Sequence, residues 1–342
     1  MTAGLHAATG IDVHAHTVPR GFIAELAREV PAAAPALVER DGAWWFEYPG
    51  GRISGPIPLG MVDVEARLAD MDAAGVQLQA LSVPPPHFQY RLEPAAAAAA
   101  AHLHNDAMIA MARQHPDRFV VLGHLPMQSE EAAHAELARL IAIDEVVGLE
   151  LGTNVAGHNL GDPQYASVWE AIDAAGLAVV LHPGADVAGM DRMHDHFIHN
   201  FVGNPTDSTI AAASLLFQGT LSRNEHLRIA LLHGGGFLPY QIGRFDHGWS
   251  VRPESRIHLD VAPSSLLHRF WFDTLTHDDL SLRFLHERVG DDRLVLGSDY
   301  PFDMADADPV GSLRRALAER PEAVRKALTD NPRALLTRQP AG

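Results

Sequence analysis

Eight short, almost continuously apolar runs recur along this chain, and their regular alternation with helical patterns is what most limits its fold. They are Ile11 to His16, Val76 to Val83, Phe119 to Gly123, Val146 to Leu151, Leu177 to His182, Leu227 to His233, Phe270 to Thr274 and Arg293 to Asp299. Helix patterns fill the intervals over 64–74, 94–115, 129–142, 163–175, 207–218, from 236 onward and over 279–289; two more, 309–317 and 322–328, close the chain. Runs that are apolar at every position suit strands buried on both faces, as in a parallel sheet sheathed by helices. Eight strand–helix units in a chain of this size predict an α/β fold, a (β/α)8 TIM barrel. A doubly wound open sheet is the alternative, but no Gly-x-Gly-x-x-Gly follows the first strand, which weakens a dinucleotide site.

One interval departs from the rule. Residues 17–63 are broken by Pro31, Pro35, Pro49, Pro56 and Pro58, with Gly50-Gly51 as a turn between Ala43–Tyr48 and Arg52–Ser54. This reads as a lid-like insertion carrying a small hairpin, within residues 1–342 as a single barrel domain. Trp44, Trp45 and Tyr48 either line that lid or pack the hairpin.

Composition narrows the chemistry. The chain has no cysteine, so a disulfide, a thiolate nucleophile and a Cys-ligated metal are excluded, and a metal would have to use His, Asp or Glu. A formal net charge of −17 argues against nucleic acid or an anionic membrane surface as partner. Residues 1–10 show neither a basic nor an apolar leader segment, and no apolar run approaches the ~20 residues of a membrane span, so a cytoplasmic location is expected. Lys326 is the only lysine, which leaves none in the barrel region for a Schiff base or a carbamate.

In a barrel of this type chemistry sits at the C-terminal ends of the strands. The first strand ends in His14-Ala15-His16, and alternation along a strand puts both imidazoles on one face. The fifth ends in His182-Pro183-Gly184, the sixth in His233-Gly234-Gly235-Gly236 and the eighth in Asp299-Tyr300-Pro301. Ligand-type residues thus fall at the same end of four strands, where they converge on one mouth, and imidazole with carboxylate is a donor set for zinc and its neighbours. Glu150 lies near the end of the fourth strand, and His124 follows the third with no assigned role.

These motifs carry a resemblance. Asp12-Val13-His14-Ala15-His16, Asn204-Pro205-Thr206-Asp207-Ser208-Thr209, His233-Gly234-Gly235-Gly236 with Gly243-Arg244, and Gly297-Ser298-Asp299-Tyr300-Pro301-Phe302 together resemble the amidohydrolase superfamily, in its branch of aminocarboxymuconate-semialdehyde decarboxylase and related metal-dependent decarboxylases. The resemblance implies one divalent ion, Zn2+ or else Mn2+, held by His14, His16, His182 and Asp299. It implies His233 as the acid/base group. It implies Arg52, Arg244 and Arg252 as anchors for substrate carboxylates, with Phe302 at the substrate, and a homodimer in which Arg244 reaches into the neighbouring subunit's site. Three imidazoles and a carboxylate leave an open position on such an ion, and the planar guanidinium fork matches a carboxylate. Two positions depart from the branch: Gly184 stands where a Trp is expected after His-Pro, and the segment before Arg52 lacks the expected Lys. The implied activity is non-oxidative decarboxylation of an unsaturated or aromatic small-molecule carboxylic acid. Hydrolysis or hydration of a C–C, lactone or amide bond on the same site is the alternative, and a barrel that binds ligand without chemistry is a third.

Other clusters have plainer readings. His194, His196 and His199 read as a loop or helix near the mouth, Asp303, Asp306 and Asp308 as a solvated loop, and the three glycines after His233 as a place of close backbone approach.

Overall fold

A computed structural model describes residues 3–339. Eight parallel strands form one sheet in sequence order: β1 (Ile11–His16), β2 (Leu78–Ser82), β3 (Phe119–Gly123), β4 (Val146–Gly152), β5 (Ala178–His182), β6 (Arg228–Leu231), β7 (Phe270–Asp273) and β8 (Leu294–Val295). The sheet curls until its last strand meets its first. Beyond Val295 the backbone leaves β7 and bonds to β1 instead: Val13 N–H donates to Leu296 O (3.0 Å), Asp299 N–H to His14 O (2.9 Å), and Ala15 pairs with Tyr300 as a parallel bridge. This is the expected (β/α)8 barrel. The eighth strand is short as a ladder because its second half serves the closing seam.

The barrel helices are α1 (Val64–Ala73), α2 (Pro94–Gln114), α3 (Glu130–Leu140), α4 (Ala166–Ala175), α5 (Asn204–Phe217), α6 (Leu238–Val251), α7 (Asp279–Val289) and α8 (Pro309–Ala316). Local chemistry sets several of their starts. Asp63, Ser129, Asp278 and Asp308 each accept a backbone N–H of the first turn, at Ala66, Ala132, Ser281 and Gly311. Asp308 is therefore a helix cap rather than a free loop carboxylate. No helix among the described residues is long and apolar enough to cross a membrane.

Alternation along the strands sorts the apolar residues into two layers. Ile11, Val13, Leu78, Ala80, Val120, Leu122, Val180 and Trp271 fill the barrel interior, where Leu5, Leu335 and Leu336 from the chain ends join them; Leu81, Val121, Leu149, Val179, Ile229 and Phe272 face the helices. Nearest the C-terminal mouth this apolar filling gives way to His14, His16, Glu150, His182 and Asp273, all buried; on β1 a register shift between Asp12 and Ala15 breaks the alternation, so His14 and His16 follow the inward Val13.

The insertion differs from expectation in one element. The hairpin of Ala43–Glu47 and Ile53–Ser54 gains a third antiparallel strand, Ala36–Arg40. That strand is mostly exposed and carries no alternating apolar pattern, so pairing rather than periodicity makes it a strand. Beneath the sheet, Val18, Phe22, Leu26, Phe46, Tyr48 and Met61 form a separate apolar cluster that packs on Ala100 of α2. Trp44 projects into solvent, whereas Tyr48 is buried, so only part of the aromatic group packs the hairpin.

Candidate metal centre and active site

The strand ends bring the expected side chains together. His14 Nδ1 donates to Asp273 Oδ2 (2.8 Å), His16 Nδ1 to the carbonyl of Val83 (3.1 Å), and His182 Nδ1 to the carbonyl of Pro183 (2.7 Å). Each acceptor fixes the proton on Nδ1, so each ring turns the lone pair of Nε2 the other way. Those three nitrogens surround a single atom: they lie 3.1, 3.1 and 3.7 Å from Asp299 Oδ1 for His14, His16 and His182. The Nε2 atoms of His14 and His182 are buried and have no hydrogen-bond partner. Lone pairs and a carboxylate oxygen crowded into one buried space repel one another, and a cation among them removes that repulsion. The donor set therefore fits a divalent ion.

The charge balance agrees. Burial holds His16 and His182 below the ordinary histidine range, hence neutral, as metal ligation requires. Burial also opposes charge on His14, but Asp299 and Asp273 outweigh it and raise His14 to about 10. For Asp299 burial works upward, yet His14, His16 and His182 together carry it well below the usual carboxylate range. The centre favours positive charge at its middle and an ionised Asp299 at its edge.

His233 lies within the same group of donor atoms. Ligand atoms of His14, His182, His233 and Asp299 all lie within 4.8 Å of one another. His233 Nε2 is 3.6 Å from Asp299 Oδ2, its Nδ1 is buried without a partner, and its backbone is left-handed (φ 54°). The following turn holds that conformation. A Cβ on Gly235 would come within 2.5 Å of the Phe272 ring, and one on Gly236 within 2.2 Å of Pro205 O. The three glycines permit close backbone approach, as their sequence pattern suggests.

Asp273 carries no sequence signal that marks it for the site. It closes β7 and ties the ligands to the His233 turn: Oδ2 accepts from His14, and Oδ1 accepts Gly234 N–H at 2.7 Å. Asp12 plays a similar part at the seam. Its carboxylate accepts from His14 N, Ser298 N, Ser298 Oγ and Gln79 Nε2, so the ends of β1 and β8 that carry His14 and Asp299 are bound to one side chain. Gln79 in turn accepts from the buried Arg67, which also donates to the carbonyl of His16. Glu150 is fully buried behind His16, with Oε1 3.7 Å from Nδ1, and burial pushes its carboxyl up to about 8. His124 is buried between the carbonyls of Glu150 and Phe88 and stacks on Phe88 and Tyr90.

The remaining candidates lie at different distances from the centre. The Phe302 ring is 5.2 Å from that of His16, at the mouth. Arg52 is not in the cluster. It lines a neighbouring cavity of about 340 Å3 with Tyr48, Phe88, Arg91 and Gly184, its guanidinium 4.4 Å over the Tyr48 ring. Arg244 is exposed on α6, and Arg252, at the end of that helix, is exposed and paired with Glu254. His194 and His196 are exposed in the segment between β5 and α5, apart from the ligand group. A second cavity, of about 640 Å3, opens between α6 and α7 and reaches His233 and Asp299.

Comparison with known proteins matches this architecture. The family model described as Amidohydrolase matches residues 11–338. The chain belongs to the amidohydrolase family. This amidohydrolase is 31% identical over 328 residues to a 2-amino-3-carboxymuconate-6-semialdehyde decarboxylase of Dictyostelium discoideum, covering 93% of this chain and 88% of that one. Its fold is similar to that of 5-carboxyvanillate decarboxylase from Sphingomonas paucimobilis, with a TM-score of 0.80, 24% identity and coverage of 96% and 99% of the two chains. It is also similar to a dihydroxybenzoic acid decarboxylase from Polaromonas sp. JS666 with bound manganese and the inhibitor 2-nitroresorcinol, at a TM-score of 0.77, 20% identity and 96% coverage of each chain.

Proposed function

We propose that this amidohydrolase is a metal-dependent carboxy-lyase that removes CO2, without oxidation, from an aromatic or unsaturated carboxylic acid. The observation that carries this reading is the convergence of three imidazole Nε2 lone pairs on Asp299, with His233 beside them at the end of an open cavity. The decarboxylase names of the Dictyostelium, Sphingomonas and Polaromonas proteins support it.

In this reading His14, His16, His182 and Asp299 hold the ion. Zn2+ suits the His3Asp donor set, and the manganese of the Polaromonas protein makes Mn2+ the other candidate. When bound, a divalent ion supplies a Lewis acid that orients the acid's oxygens and offsets negative charge as it builds. The chain's own residues do the rest. His16 and His182 are held as neutral Nδ1–H tautomers by two carbonyls, and His14, with Asp273 on Nδ1, would give up its Nε2 proton when the ion binds. His233 presents Nε2 towards the reacting carbon and delivers a proton there. The carbon–carboxylate bond breaks, its electron pair stays on the carbon, that carbon takes the proton, and CO2 leaves. His233 then recovers a proton from solvent.

Arg244 anchors the substrate carboxylate from a second copy of the chain. It is an exposed arginine with no ion pair among the described residues, six residues and so roughly 9 Å along α6 from Leu238. Exposed apolar side chains on and just after the same helix, Tyr240, Val251, Ile257 and Val261, support pairing of two copies there.

The test is product analysis. Metal-loaded protein incubated with hydroxybenzoates and unsaturated diacids should release one CO2 per acid consumed, with the product one carboxyl group poorer. A product that has gained water with no CO2 released would make the enzyme a hydrolase or hydratase instead.

A further inference from the structure

The opening of α5, Asn204–Thr209, is fastened to both sides of the proposed metal centre. On one side lies Asp207, which is buried, and its carboxylate spans two strand ends. Oδ2 accepts from the Thr153 hydroxyl and from Asn154 Nδ2 (2.8 Å), just beyond β4, and Oδ1 accepts Ala188 N–H (3.1 Å), in the segment that follows His182. The start of α5 is thereby tied to the rim that carries a proposed ligand. On the other side Thr209 meets the turn after β6. Its Oγ1 donates to the carbonyl of Pro205 (2.7 Å) and accepts Phe237 N–H (2.8 Å). The single hydroxyl proton is taken by Pro205, so a lone pair faces Phe237.

The turn after β6 needs to be held. His233, Gly234, Gly235 and Gly236 are all left-handed, with φ of 54°, 62°, 76° and 61°, and His233 adopts this conformation without being a glycine. A strained conformation of this kind persists where its surroundings fix it from more than one direction. Side chains hold this turn at both ends: Asp273 accepts Gly234 N–H at its start, and Thr209 accepts Phe237 N–H at its end. Approach to α5 is close there, since a Cβ on Gly236 would lie 2.2 Å from Pro205 O and 3.0 Å from Thr209 Oγ1.

We propose that Thr209 is a positioning residue for His233. By receiving Phe237 N–H it fixes the turn that aims His233 Nε2 at the reacting carbon, and Asp207 anchors the helix from which it acts. The rate effect rests on the decarboxylase reading, whereas the effect on the turn does not.

Three variants test this. Thr209→Val keeps the shape of the side chain and removes the acceptor, and Thr209→Ser keeps the acceptor. Thr206→Val is the control, because the Thr206 hydroxyl makes the same bond four residues back, to Val202 O (2.7 Å), with no bond to the His233 turn among the described residues. Each protein is loaded with metal and checked by elemental analysis. With an acid that the wild type decarboxylates, Thr209→Val should lose about tenfold or more in kcat, with KM within about twofold of wild type. Thr209→Ser and Thr206→Val should stay within about threefold of wild type in kcat. Hydrogen–deuterium exchange resolved to single amides reads the turn directly: Phe237 N–H should exchange about two- to tenfold faster in Thr209→Val and at the wild-type rate in Thr206→Val. Thr209→Ala, which adds no bulk, gives the same two readings if the valine variant does not fold. An unchanged kcat without the hydroxyl, a loss confined to KM, an equal loss in Thr209→Ser or Thr206→Val, or a shortfall of metal in Thr209→Val overturns the inference, and so does unchanged exchange at Phe237. A wild type that releases CO2 from no acid overturns the decarboxylase reading instead, and exchange at Phe237 then decides whether Thr209 holds the turn.

Discussion

His14 donates its Nδ1 proton to Asp273 across 2.8 Å, and both side chains are fully buried. The pair spans 259 positions in sequence, from the first strand to the seventh, and Asp273 uses its other oxygen for Gly234 N–H. One carboxylate thus sets both the tautomer of a proposed ligand and the turn that presents His233. A buried carboxylate behind a metal-binding imidazole raises its basicity and fixes its orientation.

Asp273→Asn should therefore weaken metal binding by about 10- to 100-fold while the barrel still folds. Asparagine offers one oxygen and one NH2, so either His14 or Gly234 would face a donor instead of an acceptor. Metal titration against a competing chelator measures the loss, and near-ultraviolet circular dichroism checks the fold. Affinity within twofold of wild type would show that Val83 and Pro183, through His16 and His182, hold the centre without Asp273.

Removing two donors should have a larger effect. The double variant His14→Ala/His16→Ala is expected to retain far less than one equivalent of metal after dialysis, because only His182 and Asp299 of the four proposed ligands remain. Elemental analysis of wild type and variant, prepared in parallel, reads this directly. A full equivalent in the double variant would move the metal elsewhere.

Much of this site is legible in the amino-acid sequence. The proposed ligands sit at strand ends, and strand ends are local features: a continuous apolar run followed by His or Asp marks them. The same locality defines the eight strands and most of the helices between them. Asp273 is not legible in this way, because an aspartate closing a strand reads equally as a turn residue, and its partners are supplied by β1 and by the turn after β6. The strand Ala36–Arg40 is hidden for a related reason, since its residues are mostly exposed and only their pairing with Ala43–Glu47 defines them. The placement of Arg52 in a cavity apart from His233 depends on how the insertion folds over the mouth, and no spacing in the sequence encodes that.

Buried histidines away from the centre make stability depend on pH. Burial lowers His104 to about 3, against a carbonyl contact with Thr17, and lowers His124 to about 4. Both are neutral in the folded chain, whereas in the unfolded chain they protonate near the ordinary ~6.5. Their contribution is therefore constant above about pH 6.5, is lost progressively as pH falls below it, and levels off near the folded values. At pH 5 each should cost about 2 kcal/mol of stability relative to pH 7. Urea unfolding of wild type and His104→Gln at pH 7.0, 6.0 and 5.0 tests this, since the variant should lose less stability over that range. Identical slopes would mean that His104 takes up its proton at the same pH in the folded chain as in the unfolded one.

The shared site makes the last prediction. Arg244→Ala should keep metal and fold but lose most turnover, and His233→Ala should lose turnover because the proton carrier is gone. If Arg244 serves the neighbouring subunit, mixing the two inactive proteins under exchange conditions should restore activity. A mixed dimer has two unequal sites: one combines both substitutions, and the other combines an intact His233 with an intact Arg244. Random exchange of equal amounts makes half of all dimers mixed, so about one quarter of wild-type sites should return. Native mass spectrometry verifies that mixed dimers form. Mixed dimers with no activity above the separate variants would place Arg244 outside the neighbour's site, and a monomeric wild type in the same measurement would remove the shared site altogether.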